Sequence, residues 1–210
     1  MITNRFVSSV FFVVWSCLLM AGCSSSVPPI EYYQFAHTPP VNQPIVKQTS
    51  TALVLADPVL FGAISNRGIA MKYSANQMRN ARSHLWDQPL DGMLLNSAEQ
   101  QLMTALPDVF VSKKRSALPY SNQQHHFELQ WELTEFNGGL TQNAEISGLW
   151  RIIKYNNGMA ERVLLNQYFN VSVDLEEDGY SGLVQALEKA WQQVVQQSAT
   201  DFAQLIINSH

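Results

Sequence analysis

From Phe127 to Thr134, large apolar and polar residues alternate: Phe127, Leu129, Trp131 and Leu133 on one side, Glu128, Gln130, Glu132 and Thr134 on the other. A period of two predicts a strand with one buried and one wet face. Ala144, Ile146, Gly148, Trp150 and Ile152 repeat the rhythm. Val163, Leu165, Phe169, Val171 and Val173 give a third strand, with Gln167 interrupting its apolar series. Asn156, Asn157 and Gly158 form a hairpin signal, because Asn and Gly accept positive φ, and Gly138 with Gly139 reads as the turn before it. Together these runs predict a three-strand antiparallel meander.

Two stretches change to the helical period. Leu90, Leu94, Ala98, Leu102 and Leu106 recur every four residues, joined by Met93 and Ala105, which predicts a helix over about 88–106. Asp87 is its expected cap, Pro89 suits the first turn, and Pro107 ends it. Val184, Leu187, Trp191, Val194, Val195, Ser198, Phe202, Leu205 and Ile206 share one side of a last helix over about 180–207, with Asp178 and Ser181 as candidate caps. That helix either caps the sheet along its whole length or leaves its far end for a partner. Glu31 to Phe35, Thr51 to Ala56, Gly68 to Ser74, Ala81 to Trp86 and a run from Val109 are expected as short strands, the first at an edge, with a turn over Ser74 to Asn80. Pro39, Pro40 and Pro44 predict a surface loop between Ala36 and Ser50. The fold class expected is α+β: a largely antiparallel sheet containing the meander, packed by two main helices.

The N-terminus follows neither period. Arg5 precedes an apolar run from Phe6 to Leu19 that is too short for a comfortable bilayer span of about 20 residues and has the layout of a secretory signal. Leu19, Met20, Ala21, Gly22 and Cys23 resemble a bacterial lipobox, in which the cysteine is acylated and becomes the first mature residue. The plainer alternative is an ordinary signal peptide with an incidental cysteine. The reading adopted is a signal peptide over 1–22, a lipidated tether over 23–30 running through Ser24 to Pro29, and a single domain over 31–210.

Composition narrows the partners. The net charge is −4, and cleavage before Cys23 would remove one base, Arg5, and no acid. Clustered Lys and Arg for phosphate contacts are missing, so no nucleic acid is expected. The two cysteines are Cys17 and Cys23; the first leaves with the signal and the second would carry lipid, so no disulfide forms within the mature chain. Stability then rests on apolar burial, which a 46% hydrophobic composition with five tryptophans can supply.

Catalytic chemistry finds little support. His125 and His126 are adjacent and point to opposite faces of a strand, and no His, Cys, Asp or Glu cluster has ligand spacing, so no metal and no cofactor is expected. Asp87 near His84 is better spent as a cap. Ser147 before Gly148 lies in a strand rather than on a nucleophile elbow. Glu128 and Glu132 stand roughly 13 Å apart along one strand face, too far for paired glycosidase carboxylates, and read as a solvated face. No catalytic residue is assigned. Trp86, Trp131, Trp150 and Trp191 either line a lipid or glycan site or, more simply, fill the core.

Several short segments, in order, resemble the ABC-type transport auxiliary lipoprotein family. They are Pro28 to Phe35 with its tyrosine pair, Asp57 to Val59, Asn66 to Met71, Trp86 to Leu90, and the alanine- and glutamine-rich helix from Leu183 to Ile206. Leu85 and Gln88 depart from the family pattern, where an arginine and an acid are usual. The resemblance implies a non-enzymatic lipoprotein of the Gram-negative envelope, lipidated at Cys23. It further implies a place beside transporters whose periplasmic components carry mammalian-cell-entry domains and move phospholipid or other hydrophobic molecules. Ser24 after the cysteine resembles an outer-membrane address, and some members form homo-oligomeric rings. Two alternatives stand beside this: a free-standing lipid- or glycan-binding lipoprotein, and an envelope hydrolase with an unfamiliar site.

Overall fold

The computed structural model describes residues 28–36, 51–115 and 125–207. The signal stretch, Cys23 and the Pro39 to Pro44 loop lie outside the described residues. Among the described residues nine strands are present: β1 (Glu31–Tyr33), β2 (Ala52–Leu55), β3 (Val59–Leu60), β4 (Gly68–Ser74), β5 (Gln77–Trp86), β6 (Phe110–Lys113), β7 (His125–Gly138), β8 (Asn143–Asn156) and β9 (Met159–Asp174). Two helices, α1 (Leu90–Ala105) and α2 (Gly179–Ile207), and a 3-10 turn over Gly62–Ser65 complete the described elements.

The meander forms as expected. β8 lies between β7 and β9 and pairs antiparallel with both. Its second hairpin turns at Asn157 and Gly158, with φ of 49° and 77°, the positive values that Asn-Gly turns supply. The expected single apolar face is shifted at two points. A register shift between Leu133 and Glu135 inserts one residue in β7, so the inward set passes from Leu133 to Phe136. Shifts opposite Ile152 to Tyr155 do the same in β9, and Val163, expected inward, is exposed.

The largely antiparallel sheet is corrected to a mixed one. β2, β3 and β4 follow one another along the second edge of β7, all parallel to it, at Leu53 to Leu55, Val59 to Leu60 and Ala70 to Met71. β6 is parallel to β2 and β1 to β5, whereas β4 and β5 form an antiparallel hairpin. α1 joins β5 to β6, which run antiparallel and are separated by β4, β7 and β2, so it carries the chain across the sheet. Alternation marks where strands are but is blind to their direction. The predicted turn over Ser74 to Asn80 contracts to Ala75 and Asn76, because Gln77 to Asn80 already belong to β5.

Both helices cover one face of the sheet. α1 starts after Pro89, whose extended backbone takes the cap position with no side-chain hydrogen bond, so Asp87 is not the cap expected of it. In α2 the buried residues run from Gly182 to Phe202, so this helix covers the sheet along its length. All four tryptophans in question are buried at 2% exposure or less. Trp191 crosses edge-on to Trp131 at 5.5 Å and donates its indole N–H to the Leu94 carbonyl at 3.1 Å, locking α2 to α1. They are core, not the lining of a ligand site.

Candidate functional site

The structure brings together segments that are far apart in sequence. Tyr32 and Tyr33 of β1 align with Leu85 and Trp86 of β5. The Asp87 N–H donates to the Tyr33 carbonyl at 2.9 Å, and the Trp86 N–H to the Arg67 carbonyl at 2.9 Å. Arg67 returns the contact, donating its Nε–H to the Trp86 carbonyl at 3.3 Å while its guanidinium lies 5.1 Å from the Tyr32 ring centre. Beneath them Trp86 packs between Phe35 and Phe136, at 6.2 and 6.0 Å. The tyrosine pair, the Asn66 to Gly68 segment and the start of α1 are thus one unit fixed by a buried tryptophan.

Beside this unit lies a cleft of about 390 Å³, between β3 with the 3-10 turn and the beginning of α1. Leu60 and Leu90 supply apolar wall; Asn66, Arg67, Asp87 and Asp91 supply polar rim. Val59 and Phe61, flanking Leu60, are 47% and 48% exposed, and Tyr32 52%. Neither Asp87 nor Asp91 forms an ion pair among the described residues, and Asp91 sits in the first turn of α1, where the helix dipole favours an acid. Exposed aromatics with an arginine are the residue types that dominate docking energetics. A larger groove of about 530 Å³ between α1 and α2 is lined by Gln101, Lys189 and four glutamines of α2. It offers neutral amides, with Lys189 tied to Glu176.

The Tyr33 phenol nearby holds its proton rather than moving it. The Tyr33 hydroxyl donates to the Glu31 carboxylate at 2.5 Å and accepts from His84 Nδ1 at 3.0 Å, and the His84 ring stacks on Tyr180 at 3.9 Å. Burial, reinforced by Glu31, pushes the Tyr33 phenol up to about 12. It stays protonated at neutral pH and cannot serve as a base.

The other candidates are structural. Ser147 donates to Glu135, and Glu132 pairs with Arg151. Glu128 does not lie on a solvated face: it is 2% exposed, held by Lys114 at 3.0 Å and by Gln130. His126 is buried and stacked on Tyr155, and burial lowers its pKa. No group of three or more metal-ligating side chains occurs among the described residues. Cys23, the one assigned site residue, lies outside them. Arg67 stands in the sequence only as part of the family segment Asn66 to Met71, with no role assigned, and Asp91 is not singled out there; the order of the short motifs is the signal for their neighbourhood.

The sequence model of the ABC-type transport auxiliary lipoprotein component matches residues 33–199. The chain belongs to this family. The matched region takes in Tyr33, Arg67, Trp86 and Asp91, so the cleft is built from family segments. This is a family of transport auxiliary lipoproteins, not of enzymes. The chain is 26% identical over 195 residues to the intermembrane transport lipoprotein PqiC of Escherichia coli strain K12, covering 93% of this chain and 98% of that one. The PqiC of Shigella flexneri matches to the same extent. Two crystal structures share the fold. One, of an uncharacterized protein, has a TM-score of 0.66 at 22% identity, covering 83% of this chain and 99% of that one. The other, from Xanthomonas campestris, has 0.57 at 15%, covering 82% and 93%.

Proposed function

We propose that this family member is a non-catalytic lipoprotein, acylated on Cys23 after removal of residues 1–22 and held at the periplasmic face of the outer membrane. There it docks a periplasmic protein carrying a mammalian-cell-entry domain, as auxiliary component of an ABC-type system that moves phospholipid or other hydrophobic molecules between membranes. Further copies of the chain assemble with it into a ring. The observation that carries this reading is the family match over residues 33–199, which spans the motif-built cleft. Intermembrane transport, the role printed for its PqiC relatives, supports the same direction. The aromatic and arginine rim suits docking of a protein, and Trp86, Trp131, Trp150 and Trp191 are spent in the core rather than lining a lipid or glycan site.

The test is capture of a tagged, membrane-anchored chain after mild crosslinking in the envelope. Recovery of a protein with a mammalian-cell-entry domain is expected. Its absence, while the bait itself is recovered intact, would count against the transport role.

A further inference from the structure

The chain enters the fold from one end of the sheet. β1 runs parallel to β5, with Glu31 beside His84 and Tyr33 beside Trp86, so the residues before Glu31 approach from the side on which β5 begins. That side carries the tip of the β4–β5 hairpin. Met71 of β4 pairs with Gly138, the last residue of β7, and with Arg79 of β5, so Lys72 to Met78 extend beyond the end of β7. From His84 back to Gln77 is seven residues along β5, at most about 23 Å at roughly 3.3 Å each. A tether of Ser24 to Ile30 reaches at most about 25 Å, and prolines such as Pro28 and Pro29 favour extended chain. The two lengths match, so a lipid on Cys23 can lie level with the tip.

This end of the sheet carries the side chains of a membrane interface. Tyr73 and Met78 are exposed on the hairpin, and Leu140 is exposed on the β7–β8 turn at the same end. Tyrosine is enriched at headgroup level, where its ring meets carbon and its hydroxyl stays wet. The Arg79 guanidinium lies 3.6 Å from the Tyr73 ring centre and forms no ion pair among the described residues; its flat donor fork matches a phosphate. Acids stand on the far side. Asp174 ends β9 and Glu176, Glu177 and Asp178 follow it, and β9 lies four strands from β5, across β4, β7 and β8, about 19 Å at roughly 4.8 Å each. Anionic headgroups repel these acids, which tips the domain onto its hairpin side.

We propose that the β4–β5 tip rests on the phospholipid surface that holds the anchor, with Tyr73, Met78 and Leu140 entering the interface and Arg79 meeting lipid phosphate. The contact rests on acylation of Cys23: the acyl chains attach the domain, and the tip sets its orientation. Asp87, just past the other end of β5, and the cleft it rims then face away from the membrane, toward a periplasmic partner.

The test uses the mature chain with its anchor, extracted from the envelope and reconstituted into vesicles of phosphatidylethanolamine and phosphatidylglycerol, with a nitroxide quencher high on some of the acyl chains. An acylated Cys23 has no free thiol and Cys17 leaves with the signal, so one introduced cysteine can be labelled alone. Ala75→Cys places a polarity-sensitive dye at the tip, and Ala160→Cys places it near the opposite end of the meander; both positions are exposed. The tip dye is expected to shift to the blue and lose fluorescence to the quencher, and the dye at Ala160 to do neither. Adding Tyr73→Ser, Met78→Ser and Leu140→Ser, with circular dichroism and melting temperature unchanged, is expected to abolish both the shift and the quenching at the tip. Quenching at Ala160 alone, or equally at both positions, overturns the orientation. Tip quenching that survives the three serines overturns the contact. Mass spectrometry of the same sample reads the acyl chains: intact acylation with an unquenched tip refutes the contact and leaves the anchor standing, whereas an unmodified Cys23 removes the lipoprotein reading and this contact with it.

Discussion

Single residues on the open face of the sheet make the fold depend on pH. Lys72 of β4 donates to Glu145 of β8 at 2.7 Å and to Glu135 of β7 at 3.1 Å, joining three strands whose main chains pair differently. The hydrogen bond from Lys72, with a second from Asn143, holds the Glu145 carboxyl below its ordinary value against the opposing effect of burial. A carboxylate depressed in the folded state adds stability that is present above its unfolded pKa, about 4.3, and is lost as pH falls through the folded value. Urea midpoints between pH 6 and pH 3 are therefore expected to decline more steeply for wild type than for Lys72→Met. Parallel declines would show that Glu145 is not held by Lys72. At this scale the sequence revealed the chemistry least. Tyr32 and Arg67 meet across 35 positions of chain, and local pattern carries no information about such a pair. Glu128 looked solvated because alternation assigns faces to a strand without showing what covers either one.

At the scale of elements, nearly every strand and both helices were legible, because burial on one face leaves a period in the residues. β3, two residues long, is too short to show any. What the pattern hid was connection: α1 was recognisable as a helix, but that it carries the chain across the sheet from β5 to β6 follows only from where those strands pair. The bulge in β7 was hidden for a related reason, since one inserted residue exchanges faces and looks like the end of the alternation. Close approach is visible in the structure alone. A Cβ at Gly148 of β8 would collide with the Glu132 carbonyl of β7 and press the Phe169 ring of β9 at 2.9 Å. Gly148→Ala is expected to cost about 1–3 kcal/mol, the usual range for overpacking, measured as a shift in urea midpoint. Gly158→Ala, where a Cβ meets nothing within 4 Å, bears only the cost of its positive φ and is expected to lose about 1 kcal/mol. Equal losses would contradict the tight contact across the meander.

The whole molecule is constrained by where its domain begins. β1 already pairs with β5 at Glu31, so if Cys23 is acylated as proposed, only Ser24 to Ile30 separate the lipid from the folded domain, a span of at most about 25 Å when extended. No helix among the described residues is long and apolar enough to cross a membrane. On the proposal that Cys23 is acylated, attachment comes from the acyl chains, each buried CH₂ adding about 0.8 kcal/mol. Cys23→Ala is expected to leave the domain folded and to release it from the outer membrane; a variant that still fractionates there would place the anchor elsewhere. A domain anchored as proposed would lie close to its membrane, which suits a collar at the mouth of a transport channel better than a far-reaching adaptor. The central claim, a docking component rather than a self-sufficient binder or an enzyme, is tested most directly by native mass spectrometry of the chain after gentle extraction from its own envelope. The account predicts a mass that includes further copies of the chain or a protein with a mammalian-cell-entry domain. A monomer retaining one small lipid or glycan would contradict it.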